Sequence, residues 1–594
     1  MKTSTNFARI AVTAGLAAAM ALGNVVAPAV MALADTGSTV TFVDNDYATS
    51  TTYKGIQIFK AKVATTGRTQ TVSNIEWAND DAKKAVLDAI KAKDASFAGE
   101  NAQDAADWLN VHAGGLPGTG TMVASDDVLS MIAANLKASN LWRTTTKENT
   151  SLSGLEAGYW LFLTDTAGTP GGTSTDTFTS PVYVALDGVS ATTVKPKKGV
   201  PTVKKKVLDD AEAAVVDPKT SDKWYNVADS QIGQEINYRL TGTVASNYAT
   251  YSTYAYKFTD VLSGGLDYVK DSVKVYALND GTYEEINSEN YTVTNPDASN
   301  NNTLTVEFGV GNGKKGLKDV AGVDANTKIV VFYKAKLNGN AVIGNATDGN
   351  KGGNPNTVKL EYSNNPYAEG TGETIEDTVA DFAFKLNLNK VDQGTEKGLA
   401  GAVFTIQSDD ANTERQYVAS KADAGAGVVK GQLVVVDDAN NLPEYVKFTS
   451  GDDGKIAVSG LDAGSYRVTE VQTPDDSKYT KASPFTFTIK ADYDDSAMKV
   501  TGLTASVSEY DKGRTDIAFG TLDGTAGDHV LTGKDGTGTN AANGEVTINV
   551  GNAESVDPPI TGLNGVTLTW VAGGAVLVIG VAHLIRGRRE ESEE

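Results

Sequence analysis

The sequence of 594 residues contains no cysteine and only three histidines, and its 52 Lys and Arg residues are outnumbered by 74 Asp and Glu residues. Without cysteine, thiolate nucleophiles, disulfides, Cys-ligated zinc and iron–sulfur clusters are excluded. His112, His529 and His583 are too scattered to indicate a catalytic triad or a His-metal site. The formal net charge of −22 repels phosphate backbones. We therefore expect no enzyme, no cofactor, no metal site and no nucleic-acid partner.

Glycine is abundant, at 60 residues, and tyrosine is the commonest aromatic residue, at 23. Together with many Thr and Val residues, this composition favours strands and turns over helices. The length predicts three or four domains. We therefore expect a mainly β protein of several domains.

Two apolar segments near the chain ends indicate where in the cell the protein is located. Residues 1–34 combine a basic start, an apolar stretch and a final Ala-Leu-Ala pattern, which is typical of a secretory signal peptide. We predict cleavage between Ala34 and Asp35. Residues 566–585 form a mostly apolar run long enough for a transmembrane helix, and the charged tail 586–594 begins with basic residues typical of a cytoplasmic stop.

A pentapeptide at residues 558–562 precedes this run and reads Pro558-Pro559-Ile560-Thr561-Gly562. It resembles the Leu-Pro-x-Thr-Gly sorting signal of Gram-positive wall-anchored proteins, with Pro in place of Leu. The resemblance implies that a sortase, a membrane transpeptidase, cleaves after Thr561 and passes the Thr561 carbonyl to an amine. Without the pentapeptide, an ordinary single-pass membrane protein would be an equal interpretation.

Composition shifts divide the predicted mature chain into three domains. The first mixes strand patterns with helical spacing over Asp80–Ala92 and Ala102–Leu109, whereas the other two are almost wholly strand-like. Polar or Pro-containing stretches separate them. The predicted boundaries are an N-terminal domain at 35–194, a linker at 195–201, a middle domain at 202–366, a linker at 367–380 and a third domain at 381–552.

The third domain carries a set of short motifs in a fixed order, namely Gly401-Ala402-Val403-Phe404, Gly454-Lys455-Ile456, Gly460-Leu461-Asp462-Ala463-Gly464-Ser465-Tyr466 and Val468-Thr469-Glu470. It closely resembles the B-type repeat fold of collagen adhesins. The resemblance implies an intramolecular isopeptide bond from a Lys on the first strand to an Asn on the last, assisted by a carboxyl group. The expected fold is therefore three tandem Ig-like or collagen-adhesin-type β-sandwich domains, the first with inserted helices.

Strand parity identifies the third-domain residues for this reaction. Lys390 ends an apolar stripe in its strand, and Glu470 shares parity with apolar neighbours, so both should point into the core. Burial would make the amine a neutral nucleophile and keep the acid protonated to assist the reaction. Either Asn552 or Asn549 could be the acceptor, and the family position just before the sorting signal favours Asn552.

The middle domain has the same kinds of residue: an inward lysine, an acid and an Asn. Lys205 shares a strand face with two valines and is the predicted inward lysine. The sequence around Asp260, Phe258-Thr259-Asp260-Val261-Leu262 followed by Gly265-Leu266, resembles the middle-domain motif of backbone pilins, in which the Asp assists the bond. Asn356 is the predicted acceptor, with Asn364 second. No lysine of the first domain is clearly matched with an acid and an Asn, so no bond is expected there.

The first linker contains a motif of its own, Val194-Lys195-Pro196-Lys197. It resembles the pilin motif Val-Tyr-Pro-Lys, with Lys195 in place of Tyr, at the domain boundary where that family has it. The resemblance implies that the exposed Lys197 amine attacks the thioacyl bond between sortase and Thr561 of the next subunit. Lys195 and Lys198 are the alternative nucleophiles.

These resemblances together imply the major shaft subunit of a sortase-assembled pilus, secreted and anchored to the cell wall of a Gram-positive bacterium. The implied partners are a pilus-specific sortase, identical subunits in a head-to-tail polymer, accessory pilins, and the housekeeping sortase with peptidoglycan. The chain would be a sortase substrate whose own chemistry is limited to the intramolecular bonds. A monomeric wall-anchored adhesin and an accessory pilin remain the alternatives.

Overall fold

The computed structural model describes residues 37–43, 51–66, 69–113, 123–168, 174–196, 198–208, 217–311, 315–345, 352–410, 413, 415–511, 514–519, 530–532 and 539–555. Several predicted features lie outside them: the signal peptide with its cleavage site, Lys197, the sorting pentapeptide, the span 566–585 and the tail. Within the described residues, no helix has the length and apolar character needed to cross a membrane.

The first domain consists of two sheets and three helices. The sheets have the strand orders β5-β1-β8 and β3-β2-β6-β7, with β4 paired to β2. Their bounds are β1 Ser38–Phe42, β2 Thr52–Thr66, β3 Thr69–Trp77, β4 Arg143–Thr144, β5 Ser151–Leu155, β6 Gly158–Thr166, β7 Val182–Leu186 and β8 Ala191–Val194. The helices are α1 Asp80–Lys93, α2 Ala102–His112 and α3 Val128–Leu136.

Strand β6 is buried on both faces because the larger sheet lies between the helices and the smaller sheet. Leu161 belongs to the core with the helices, and Trp160 and Phe162 belong to the core with the smaller sheet. Such a strand reads as a continuous apolar run. The inserted helices are therefore confirmed, and they cover the outer face of the larger sheet.

The middle domain is a sandwich of two seven-stranded sheets, ordered β10-β9-β12-β19-β15-β16 with β14 on β19, and β11-β22-β20-β13-β18-β17 with β21 on β20. The strands are β9 Val203–Leu208, β10 Trp224–Tyr225, β11 Val227–Asp229, β12 Glu235–Thr243, β13 Tyr256–Leu262, β14 Leu266–Tyr268, β15 Lys274–Asn279, β16 Thr282–Glu285, β17 Tyr291–Thr294, β18 Thr303–Phe308, β19 Lys328–Leu337, β20 Asn354–Ser363, β21 Thr371–Glu373 and β22 Asp377–Phe382.

The third domain is a second sandwich, with sheets ordered β28-β23-β35-β32 with β34 on β35, and β26-β25-β24-β29-β30-β31-β33 with β27 on β24. The strands are β23 Phe384–Asp392, β24 Val403–Ser408, β25 Tyr417–Val418, β26 Leu433–Val434, β27 Phe448–Thr449, β28 Lys455–Leu461, β29 Ser465–Gln472, β30 Phe485–Asp494, β31 Lys499–Val507, β32 Ile517–Phe519, β33 Val530–Thr532, β34 Thr539–Asn540 and β35 Glu545–Asn552. The first strand and the last, β23 and β35, are parallel neighbours.

Strands β21 and β22 occupy half of the predicted linker at 367–380. Strand β21 pairs with β20, and β22 pairs with β20 and β11, so both belong to the middle domain. Strand β21 is only three residues long, and β22 lies between β11 and β20 with nearly all of its residues buried, so neither strand shows a long period-2 alternation. The strands paired in the middle domain's sheets therefore extend to Phe382, and those of the third domain begin at Phe384.

The joint between these two domains is a nearly continuous strand. Only Ala383, itself fully buried, separates β22 from β23. Backbone bonds cross the joint beside it, from Ile232 N to Gly460 O at 3.0 Å and from Asn345 N to Ala542 O at 2.9 Å. The Tyr466 hydroxyl also donates to Gln231 Oε1 at 3.0 Å.

Candidate functional site

In the middle domain, strand β9 turns one of three consecutive lysines inward. Lys205 lies between Val203 and Val207 on the core face and is fully buried, whereas Lys204 is exposed. The parity prediction for Lys205 is therefore confirmed. The β9 sheet forms one wall of the sandwich, so the amine points at the opposite sheet.

The opposite sheet supplies an acid and an amide. Asp260 on β13 pairs in register with Val358 on β20, and Leu262 pairs with Asn356. Asp260 and Asn356 are therefore diagonal neighbours on one sheet face. Both are fully buried.

Two polar side chains contact the Lys205 amine, and a third is hydrogen-bonded to one of them. Nζ donates to both carboxylate oxygens of Asp260, each at 2.6 Å, and to the Tyr333 hydroxyl at 2.9 Å. Asn356 Nδ2 donates to the same hydroxyl at 2.6 Å. The Asn356 Oδ1 atom is buried and has no hydrogen-bond partner among the described residues. The lysine, the acid and the amide thus share one buried site between the sheets.

Burial shifts the pKa values of Lys205 and Asp260 so that the neutral form of each is favoured. Desolvation lowers the pKa of Lys205 to about 8, although attraction to Asp260 opposes the shift. Desolvation also raises the pKa of Asp260, again against the effect of Lys205. Both shifts favour transfer of a proton from the ammonium to the carboxylate, which yields a neutral amine and a carboxylic acid.

The third domain has the same three kinds of residue on different strands. Lys390 on β23 and Glu470 on β29 are buried as parity predicted. The parallel pairing of β23 with β35 places Lys390 opposite Val550 and Asp392 opposite Asn552. Because Val550 and Asn552 have equal parity, Asn552 faces the core beside the lysine.

Glu470 contacts both of the other groups. Lys390 Nζ lies 3.6 Å from Oε1, and Asn552 Nδ2 donates to that oxygen at 3.2 Å. The amide N–H of Ala482 donates to Oε2 at 2.7 Å and holds the carboxyl in place. Desolvation lowers the pKa of Lys390 to about 8 against the attraction of Glu470. Asn552 Oδ1, like its counterpart in the middle domain, has no partner among the described residues.

The second-choice acceptors lie elsewhere. Asn549 is on the other face of β35, where Asn389 Nδ2 donates to its Oδ1 at 2.8 Å. Asn364 follows the end of β20, and its carbonyl accepts from Phe178 N at 2.7 Å in the first domain. The described contacts therefore favour Asn552 and Asn356.

The linker lysines differ in their surroundings. Lys195 is exposed. The side chain of Lys198 is only 3% exposed, and its amine pairs with the fully buried Asp176, to which the Thr51 hydroxyl also donates. A buried and paired amine cannot reach an external acyl group, so the geometry disfavours Lys198 as an intersubunit nucleophile.

Tyr333 is the site residue that the sequence analysis missed. It alternates with Val331 and Ala335 on the buried face of β19. A tyrosine in a core-facing stripe needs a partner for its hydroxyl, and that was the available signal. Here the partners of the hydroxyl are the Lys205 amine and the Asn356 amide.

The comparisons with known proteins include one family match, which lies in the third domain. Residues 384–503 match the model of the SpaA family, a prealbumin-like fold domain. Residues 384–503 of the third domain are thus similar to the SpaA prealbumin-like fold domain. No curated protein sequence matches the chain.

Three of the solved structures that are similar to this chain cover 70–88% of it. The T6 backbone pilin of serotype M6 Streptococcus pyogenes has 14% identity over 88% of this chain and 100% of that chain, with a TM-score of 0.47. The full-length major pilin SpaD from Corynebacterium diphtheriae has 15% identity over 88% and 98%, with a TM-score of 0.41. The full-length major pilin RrgB from Streptococcus pneumoniae has 14% identity over 70% and 86%, with a TM-score of 0.37.

Proposed function

We propose that this chain is the major structural shaft subunit of a covalent pilus on the surface of a Gram-positive bacterium. The observation that carries the proposal is a repeated site. In two consecutive sandwiches, a buried lysine of the first strand lies with a buried acid and a buried Asn of a late strand. A filament subunit under load needs internal cross-links, and this chain has no cysteine to make them.

Each site supports formation of an isopeptide bond. The acid, Asp260 or Glu470, takes a proton from the lysine, and the neutral Nζ attacks the Asn carboxamide carbon. The protonated acid then polarises the amide oxygen, and ammonia leaves. The Oδ1 atom of each Asn, which has no hydrogen-bond partner among the described residues, is the atom at which negative charge would develop, so it can accept a hydrogen bond from the protonated acid.

The two bonds would close long loops. Lys205 to Asn356 spans roughly 150 residues and Lys390 to Asn552 roughly 160. Closure on this scale stabilises a domain by about 4–5 kcal/mol in the chain-entropy model. The Lys390 bond would also tie β23 to β35, the first and last strands of their domain.

Polymerisation requires a second, intermolecular lysine. In our proposal sortase joins Thr561 of one subunit to Lys197 of the next, and the last subunit is attached to peptidoglycan. Support comes from the order of sorting pentapeptide, apolar run and basic tail, and from the position of Lys197 between two compact domains. The burial of Lys198 disfavours one of its two competitors.

The test is a set of wall extracts from a host that expresses the chain with a pilus sortase. Wild type should give a ladder of high-mass species, and Lys197→Ala should give only monomer that is still cleaved at Thr561. Lys195→Ala, at an exposed neighbouring lysine, is the matched control and should keep the ladder. If the ladder is lost only in Lys195→Ala, the nucleophile is Lys195 and not Lys197.

The same extracts separate the alternatives. A monomeric wall-anchored adhesin would give no ladder in any variant, and that outcome would replace the shaft proposal. An accessory pilin would appear only on a polymer of another subunit, and that polymer would persist when this chain is deleted.

A further inference from the structure

The middle-domain site contains a fourth polar group that links the two reactants. The Tyr333 oxygen accepts from Lys205 Nζ at 2.9 Å and from Asn356 Nδ2 at 2.6 Å. In the proposed reaction these nitrogens are the attacking atom and the leaving group. A hydroxyl can accept a proton and donate one at the same time.

We infer that Tyr333 is a further catalytic residue of this reaction, which relays a proton from the Lys205 amine to the departing Asn356 nitrogen. The inference rests on the proposed function, because it requires the Lys205–Asn356 bond to form.

The two domains differ in a way that explains why only one needs the relay. In the third domain a single oxygen of Glu470 contacts both Lys390 and Asn552. In the middle domain both oxygens of Asp260, whose side chain is one methylene shorter than that of glutamate, are engaged by Lys205. Tyr333 supplies the hydrogen-bonded connection to the amide nitrogen there.

The relay balances without a further reactant. Neutral Nζ forms the new C–N bond, which leaves a positive nitrogen and a negative oxygen on the tetrahedral carbon. One proton passes from Nζ to the Tyr333 oxygen while the hydroxyl proton passes to Nδ2, which now has a lone pair. The bond from carbon to Nδ2 then breaks and ammonia leaves. The proton held by Asp260 departs with the ammonia as ammonium.

The surroundings keep Tyr333 competent for this role. Burial and the nearby Asp260 carboxylate hold the pKa of Tyr333 well above its usual value, so the hydroxyl retains its proton. Its ring stacks on that of Tyr238, with centroids 5.2 Å apart. The oxygen is thus fixed between the two nitrogens.

The decisive variant is Tyr333→Phe, which removes the hydroxyl and keeps the ring. The chain from Asp35 to Thr561, which includes every described residue, is synthesised in a short pulse. Its intact mass is then followed with time, and peptide mapping assigns the lost ammonia to a domain. Tyr251→Phe is the matched control, because the Tyr251 hydroxyl is also buried in the middle domain but has no hydrogen-bond partner among the described residues.

We expect Tyr333→Phe to slow formation of the middle-domain bond by about 10²–10⁴-fold, the usual contribution of general acid–base catalysis. The third-domain bond should form at the wild-type rate. If Tyr333→Phe lowers the folded yield, the bonded fraction is counted among native molecules, selected by resistance to protease.

Three outcomes would overturn the inference. Equal rates for Tyr333→Phe and Tyr251→Phe would show that the hydroxyl is not used. Equal slowing of both bonds would indicate a general folding defect. Absence of the middle-domain bond from the wild-type chain would instead reject that part of the proposed function, and the relay with it.

Discussion

Lys390 Nζ lies 3.6 Å from Glu470 Oε1 in the third domain, and neither side chain has any solvent exposure. Asn552 donates to the same oxygen at 3.2 Å. One carboxylate oxygen therefore contacts both groups that the proposed bond would join. This makes Glu470 the most informative residue to remove.

Glu470→Ala should prevent the third-domain bond and leave the middle-domain bond intact. Loss of the loop constraint should lower the melting temperature of the third domain by several degrees. Glu470→Gln keeps the shape without the acid and should also fail to form the bond. Calorimetry and intact mass are the measurements, and Glu444→Ala, at an exposed acid of the same domain, is the control. Normal bond formation in Glu470→Gln would remove the carboxyl from the mechanism.

The mature chain should be lighter than its sequence mass by two molecules of ammonia. Each proposed bond, Lys205 to Asn356 and Lys390 to Asn552, releases one. High-resolution intact mass gives the count, and tandem mass spectrometry of proteolytic peptides gives the positions. A mass equal to that of the sequence would reject both bonds, and a third loss mapped to residues 35–194 would contradict the expectation for the first domain.

The two faces of β35 predict which Asn reacts. Asn552→Ala should abolish the third-domain bond, because it removes the amide on the core face. Asn549→Ala should leave the bond intact, because Asn549 pairs with Asn389 on the opposite face. Intact mass of the two variants decides the point, and the reverse result would mean that β35 is shifted in register.

The buried amine predicts a pH dependence in a variant that cannot react. In Asn356→Ala, Lys205 stays free with a pKa of about 8, against 10.5 for an ordinary lysine. Between these values the unfolded chain binds more protons than the folded one, so stability should rise with pH from about 8 to 10.5. Below that window both states are protonated, and the full penalty of the buried charge applies.

The comparison for this pH effect is the double variant Lys205→Met/Asn356→Ala, which lacks the amine. The difference in free energy of unfolding between the two should change by on the order of 3 kcal/mol across the window. Denaturant unfolding at several pH values measures it. A difference independent of pH would show that the amine has its ordinary pKa in the core.

Lys198 should matter for stability rather than for polymerisation. Lys198→Ala leaves the buried Asp176 without its cation, which typically costs about 3–5 kcal/mol. We expect a lower melting temperature for the first domain in calorimetry, while the pilus ladder persists. Lys195→Ala, at an exposed position, should leave the melting temperature unchanged. Loss of the ladder in a stably folded Lys198→Ala would identify Lys198 as the nucleophile.

Much of the site was predictable because strand parity is a local property. The burial of Lys205, Lys390 and Glu470 follows from their apolar neighbours at i±2. Helix α1 was also predictable, since its buried face repeats at helical spacing and Asn79 caps its first turn. These features depend on residues close together in the chain.

Two of the features that sequence analysis missed depend on distant residues. Tyr333 joins the site only because β19 and β20 belong to facing sheets. The strands at 371–382 escaped prediction because their pairing partners, not their own polar composition, make them strands. Helix α3 was missed although Asp127 caps it, since it is short and buries much of its surface.

The single residue between β22 and β23 has a mechanical consequence. Once both isopeptide bonds are closed, a pull on the filament bypasses the loops that they enclose. The force would then pass through the stretch from Asn356 to Lys390, which contains most of β20, all of β21 and β22, and most of β23. Backbone bonds beside Ala383 brace that stretch on either side. Because only one residue separates the two strands, the joint has no loop that could extend. The filament would therefore lengthen little at this joint under tension.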